Sequence, residues 1–501
     1  MGRQLNLLKQ RLEEIRHLNK ASALLIWDQE TKMPPGGARA RAEHLATLSR
    51  LGHELFIADR TGELLARAAN ETADLPFDDD DASLVRVSQR DYDRTKRLPT
   101  SLVTEFTRHS VLAHEAWVRA RANDDFAAFS PWLERTIELS RQRAEHLGYQ
   151  ENMYDALLDL FEPGIKSSRV TRIFDDLKQE LVPLVAAIAE RSDRVDDAAV
   201  HQPFDERAQE AFGKKIAAIL GYDFSRGRLD PTVHPFETSF SCNDVRITTR
   251  YESNFLSPSL FGTMHETGHA MYEQGVSPAL DHTPLGRGAS SAVHESQSRM
   301  WENVVGRSRP FWQRYYPDLQ RVFPQQLAAV DIDTFYGAIN TVQPSLIRVY
   351  ADEVTYNLHI MLRFEMEMDL LANRYPVSAA PAVWNDKMES YLGVRPPSDT
   401  LGILQDVHWS NGLFGYFPTY ALGNILSLQL YDKALQERPE IRDQLARGET
   451  TGLREWMTEK IYRHGRKFQP AELVERATGE PLQSRSYMKY LQTKFGRLYG
   501  L

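Results

Sequence analysis

The chain has 501 residues, 42% hydrophobic and 26% charged, the balance of an ordinary globular protein with length enough for a large core. Its formal charge of −9 is dispersed, which argues against nucleic-acid binding because no concentrated basic surface is present to neutralise phosphates. One cysteine, Cys242, excludes an intramolecular disulfide, and no segment reaches the roughly 20 consecutive apolar residues of a membrane helix.

The opening, MGRQLNLLKQRLEEIRH, has helical spacing over residues 4–20 and lacks the apolar stretch of a secretory signal, so the expectation is a cytoplasmic protein without membrane attachment. Helical patterns recur at 82–97 and 100–122, with the acidic run Asp78–Asp81 read as a solvated loop entering a helix N-terminus. Ser130 and Pro131 read as an N-cap and first helical residue, with Gly148 closing the segment. From Val170, apolar residues at 173, 174, 177, 181, 184, 185 and 188 form a buried helical stripe, and 204–220 continues the habit. Between about 228 and 256 the pattern changes: Asp244–Arg250 alternates apolar with polar, which is strand chemistry.

The next helix carries the chemistry. Ser257-Pro258 opens it, Gly275 reads as the residue just beyond its end, and His265-Glu266-Thr267-Gly268-His269 lies inside. Imidazoles at i and i+4 leave one helix face a turn apart, so both can reach one ion at about 2.0–2.1 Å. Glu266 lies about 100° round the helix, free to move a proton rather than ligate. A catalytic zinc takes three protein ligands, and the third is expected from the helix after the Pro/Gly loop 276–288, at Glu295. Glu273 is the alternative ligand, or a partner orienting one, and Glu302 is read as surface or as such a partner. Farther on, Gln405, Asp406, His408, Trp409, Tyr416 and Tyr420 concentrate hydrogen-bond donors without spacing that assigns roles.

Read together, HETGH, His294-Glu295-Ser296-Gln297 and Gly402-Ile403-Leu404-Gln405-Asp406-Val407-His408-Trp409 resemble the carboxypeptidase Taq family of thermostable-type metallocarboxypeptidases. His234-Pro235-Phe236 fits its HPF element, Asp244–Thr248 its DxRxT element, Ile347–Asp352 its IRxxAD element, and Trp27–Pro34 its opening segment. The resemblance spans essentially the whole chain. It implies a mainly α, neurolysin-like fold, related to angiotensin-converting enzyme: residues 1–501 as one unit, two helical halves flanking a deep central groove, and a small β-sheet beside the metal site.

It further implies a homodimeric carboxypeptidase of broad specificity, poor on C-terminal proline, with Zn2+ (replaceable by Co2+ or Mn2+) on His265, His269 and Glu295. Glu266 would be the general acid/base, with His408 and Tyr420 as catalytic helpers, and Arg348, Arg246, His234 and Gln405 as substrate contacts. Arg348 is the preferred anchor for the terminal carboxylate because a guanidinium fork matches it bidentately; the competing reading pairs Arg348 with Asp352. The DxRxT strand is expected to offer its edge to an extended peptide. Two other readings remain at this stage: a zinc oligopeptidase that cuts internally, and a helical binding protein with a vestigial site.

Overall fold

The computed structural model describes residues 2–501. Helices dominate, joined by one three-stranded sheet. The chain folds into two compact units, each assembled from three separate stretches: Met1–Lys96, Asp197–Ile339 and Leu430–Pro481 in the first, Arg97–Asp196, Asn340–Gln429 and Leu482–Leu501 in the second. Among the described residues no helix is long and apolar enough to cross a membrane.

In the first unit, helix α1 (Arg3–Thr31) buries Leu5, Leu8, Leu12 and Ile15 at three-and-four spacing. It runs eleven residues past the expected end. Over that extension Leu24 and Ile26 are 42% and 47% exposed, so no apolar stripe marked it. Strands β1 (Leu229–Pro231), β2 (Glu237–Ser241) and β3 (Asp244–Thr249) follow, in spatial order β1-β3-β2. β3 pairs in parallel with β1 and antiparallel with β2, so both its edges are occupied. The expectation that the DxRxT strand offers a free edge is therefore corrected: only β1 and β2 have outer edges. Val245 and Ile247 of β3 pack with Ala217, Tyr222 and Leu229 against Ala270.

Ala270 belongs to α2 (Ser257–Gly275), whose first turn contains Pro258 and whose buried residues include Leu260, Phe261, Met264 and Met271. Ser257 is its first helical residue and Gly275 its last, each one position inside the expected caps. After the 276–290 loop, the Ser290 hydroxyl caps α3 (Ser291–Arg299) by accepting the Val293 N–H at 3.2 Å. The helix continues as a π turn, Met300–Val305. α2 and α3 approach so closely at Gly268 that a Cβ there would lie 2.6 Å from the Gln297 carbonyl oxygen and the Ser298 Cα. Only glycine lets the helices meet at this spacing.

In the second unit, helix Phe126–Leu147 begins at an Asp125 cap, whose carboxylate accepts the Ala128 N–H at 3.0 Å, and not at Ser130; Pro131 lies inside it. Helix Ser167–Ala189 buries the expected stripe from Val170 to Ile188 except Leu184, which is only half-buried. Helices α4 (Tyr356–Leu371) and α5 (Pro418–Glu437) complete the elements needed below.

Candidate metal centre and active site

α2 and α3 bring three donors to one point. The Nε2 atoms of His265 and His269 lie 3.6 and 3.4 Å from Glu295 Oε2, and the three side chains form a cluster whose donor atoms all fall within 4.8 Å of one another. Tetrahedral ligands bound at about 2.0–2.1 Å stand about 3.4 Å apart. The spacing of these three donors is therefore that of a ligand set for one metal ion.

The protons are arranged to match. His265 Nδ1 lies 2.9 Å from Glu302 Oε2; a carboxylate only accepts, so Nδ1 carries the proton and Nε2 presents its lone pair. His269 is set by a longer relay. His294 Nε2 donates to Glu273 Oε1 at 3.0 Å, and in the neutral imidazole Nδ1 is then the acceptor for the His269 Nδ1–H at 2.5 Å. His269 Nε2 is then also a lone pair facing Glu295. Glu273 is fixed in turn by the Gly288 N–H at 2.9 Å and the Ser239 hydroxyl at 3.2 Å. With His294 neutral, both imidazoles hold the tautomer that a metal requires. Of the two readings open for Glu273 it takes the orienting one, and Glu302 is likewise an orienting partner.

Burial raises the cost of charge here, and the neighbours decide which groups bear it. Burial works against the Glu295 carboxylate, but Arg299 (Nε to Oε1, 2.7 Å) and the imidazoles hold it well below the usual range. Glu302 is likewise drawn down to about 2 against burial, by its bond to His265 and by Arg299. Burial pushes His269 down to about 3, leaving it neutral and ready to ligate. Glu266 goes the other way: 5% exposed, it is pushed up to about 7, chiefly by burial. A carboxyl with that value both takes and gives a proton near neutral pH.

The remaining expected residues divide between the units. In the first, Arg246 engages Asp244 bidentately (2.8 and 2.9 Å) while stacking on Trp27 and Phe240, and His234 is exposed. In the second, Arg348, Gln405, His408 and Tyr420 cluster around Asp406. Arg348 is 6% exposed; its Nε and Nη2 donate to Asp406 Oδ1 at 3.1 and 2.7 Å, and its Nη1 to the Tyr356 hydroxyl at 2.9 Å.

The expected alternative partner, Asp352, is not the one used. Its carboxylate instead accepts the Gln343, Val354 and Thr355 N–H groups, because the chain leaves a short 3-10 turn at Arg348–Tyr350 and no i,i+4 geometry exists. Gln405 accepts from Arg348 N and Arg363 Nη2 and donates to the Leu346 and Gly402 carbonyls, so both ends of its amide are engaged within the protein. His408 Nε2 lies 3.4 Å from the Tyr420 hydroxyl, and burial pushes its pKa down to about 4, so it is a neutral imidazole at pH 7.

Three participants were missed in the sequence. His294 stood in a quoted motif without a role, and its place next to Glu295 was the available signal. Arg299 sits one turn after Glu295, a spacing that pairs such residues. Arg363 is fully buried on α4 and binds Asp406 Oδ2 at 2.6 Å; no local pattern marks a partner 43 residues away.

Comparison with known proteins identifies the family. Residues 7–495 match the family model described as carboxypeptidase Taq (M32) metallopeptidase. The chain is 41% identical over 490 residues to carboxypeptidase 1 of Bacillus subtilis (98% of this chain, 97% of the relative), and 41% identical to thermostable carboxypeptidase 1 of Thermus thermophilus (97% of each). The crystal structure of an M32 carboxypeptidase from Deinococcus radiodurans superposes with a TM-score of 0.97 at 41% identity, covering all of both chains. The chain therefore belongs to the carboxypeptidase Taq (M32) family of metallopeptidases.

Proposed function

We propose that the protein is a zinc carboxypeptidase that removes single residues from the free C-terminus of peptides, with broad specificity and poor action where proline is last. The observation that carries this reading is the convergence of His265, His269 and Glu295 at ligand spacing, the two histidines on the helix that also buries Glu266, whose carboxyl burial pushes up to about 7. Membership of the family and the names of the relatives support the carboxypeptidase activity.

When bound, zinc supplies Lewis acidity to a scissile carbonyl and to an attacking water. Glu266 takes the proton from that water as it adds to the carbonyl carbon, then delivers the proton to the departing amine nitrogen as the C–N bond breaks. His265, His269 and Glu295 hold the ion, and Glu302, His294 and Glu273 keep the imidazole lone pairs aimed at it. His408 and Tyr420 serve as hydrogen-bond donors to the developing oxyanion, for which a neutral imidazole is the right form.

Arg348 remains our choice for the terminal carboxylate. Three of its five N–H donors are engaged by Asp406 and Tyr356, leaving one on each Nη. Arg246 is the alternative, with His234 as a further substrate contact, while Gln405, both ends of its amide engaged, holds the Arg348 segment in place. The working assembly is a homodimer, checked by light scattering.

The test is to incubate the purified protein with a peptide as free acid and as C-terminal amide, with and without chelator, and to read products by mass. Stepwise single-residue loss from the free acid alone, abolished by chelator, is expected. Internal fragments, or equal action on the amide, would replace the exopeptidase reading with an oligopeptidase one. Arg348→Ala should depress turnover of the free acid far more than any residual action on the amide.

A further inference from the structure

Outside the catalytic cluster, another group of described residues gathers three donors suited to a metal: Glu13, His17 and His282. Glu13 and His17 stand at i and i+4 on α1, so they share a face, with Glu13 Oε1 3.8 Å from His17 Nε2. His282 comes from the 276–290 loop, where a left-handed backbone (φ 61°) sets its ring edge-on to His17, centroids 6.1 Å apart at 75°. One donor atom from each residue lies within 4.8 Å of the other two.

Ligands at about 2.0–2.1 Å need to stand about 3.4 Å apart, so the trio must close by at most about 1.4 Å. The side chains are free to do so, being 48%, 60% and 59% exposed for Glu13, His17 and His282. Glu13 and His17 also line a surface hollow of about 410 Å³ with Gln10, Glu14 and Leu18, which leaves room for water to complete the coordination. We infer that α1 and the 276–290 loop bind a second divalent transition-metal ion through Glu13, His17 and His282. Two imidazoles and one carboxylate favour zinc, nickel or copper over calcium or magnesium.

This site differs from the catalytic one in a way that sets its affinity. The catalytic imidazoles are locked by Glu302 and His294, whereas the nearest carboxylate to His282 Nε2 is Asp281 at 3.8 Å. Orienting partners are worth about 10–100-fold in metal affinity, so the second ion binds at least that much more weakly. Its consequence is mechanical. Arg16 already grips the loop at the Gly286 carbonyl (2.9 Å) and near Asp281 (3.7 Å), and the ion adds a second clamp between the same helix and loop. That loop joins the helix of His269 to the helix of Glu295 and carries Gly288, which holds Glu273. Occupancy stiffens the link between the ligand-bearing helices.

The test uses the full chain, stripped with chelator, dialysed and titrated with zinc against a fluorescent zinc indicator, with the bound metal counted by mass spectrometry. The wild type should take up one tight and one weaker equivalent, and the weaker one should raise the melting temperature further. The double variant His17→Gln with His282→Gln changes only exposed side chains; it should keep the tight equivalent and the peptidase rate while losing the weaker one and any retention of the untagged protein on nickel resin. A single equivalent in the wild type, a weaker equivalent that persists in the double variant, or loss of both equivalents together would each overturn the assignment.

Discussion

Gly268→Ala tests whether helix spacing, rather than ligand identity alone, makes the metal centre. The new Cβ would lie 2.6 Å from the Gln297 oxygen and the Ser298 Cα, both backbone atoms that cannot rotate away. Carbon–carbon contacts settle at about 3.5 Å, so α2 and α3 must part by about 0.9 Å at this point. Glu295 lies two residues before Gln297 on α3, and the separation carries its carboxylate from 3.4–3.6 Å toward about 4.4 Å from the imidazoles. Metal bonds tolerate about 0.2 Å, so three ligands no longer close on one ion.

Stability is the poorer reporter of this change. Overpacking costs about 1–3 kcal/mol, while alanine gains about 1 kcal/mol of helix propensity, so the net loss is at most about 2 kcal/mol. Zinc affinity is the sensitive quantity and should fall by more than the roughly 100-fold ceiling for losing one orienting partner. Competition with a chromophoric chelator measures it directly. Gly496→Ala is the control: it is also helical, its Cβ meets nothing within 4 Å, and it should stabilise the fold by about 1 kcal/mol with zinc affinity unchanged. A Gly268→Ala protein that binds zinc as tightly as wild type would refute the reasoning.

Glu266→Gln should cut turnover by about 10²–10⁴-fold with zinc content unchanged; a variant that also loses its zinc would show Glu266 to be a ligand instead. Glu302→Gln and His294→Phe should each weaken zinc about 10–100-fold while keeping near-normal turnover at saturating zinc, measured by activity against free zinc concentration. Asp406→Asn should destabilise the protein by about 3–5 kcal/mol, because it leaves Arg348 and Arg363 buried without their shared carboxylate. Burial alone would raise the Asp406 pKa, but the two guanidiniums hold it below the usual carboxylate value, so its contribution is complete above an unfolded pKa of about 3.9 and fades as pH falls below that. Urea melts of wild type and variant should therefore differ by a constant amount from pH 8 to 5, and the gap should begin to narrow below about pH 4, by at most about 1.4 kcal/mol per pH unit; a gap that changes between pH 5 and 8 would assign the effect to another group.

What could be read from the sequence follows a physical line. The ligands were legible because a helix fixes the spacing of His265 and His269, and because chemistry demands a third donor on a nearby element. The helix over Ser167–Ala189 was legible because its buried stripe repeats with helical period, whereas α1 beyond residue 20 was not, since Leu24 and Ile26 face solvent and Trp27 alone is buried there. The groups that set the properties of the site lay beyond such rules. Glu273 and His294 are 21 residues apart, and Arg348 and Asp406 are 58 apart; both pairs exist only once tertiary packing joins them.

Local rules also misplaced what depended on such packing. Arg348 was offered Asp352 at i+4, but the backbone there is not α-helical, and the guanidinium turned to a carboxylate from a distant segment. β3 read correctly as a strand, yet its central position depends on β1 and β2, which no periodicity within β3 encodes. The sequence thus names the atoms that bind metal through local geometry, while the partners that fix their protons and charges come from contacts across the fold. That division explains why a ligand motif can survive in a chain that no longer binds metal, and why the relay through Glu302, His294 and Glu273 is the better structural criterion for a working centre.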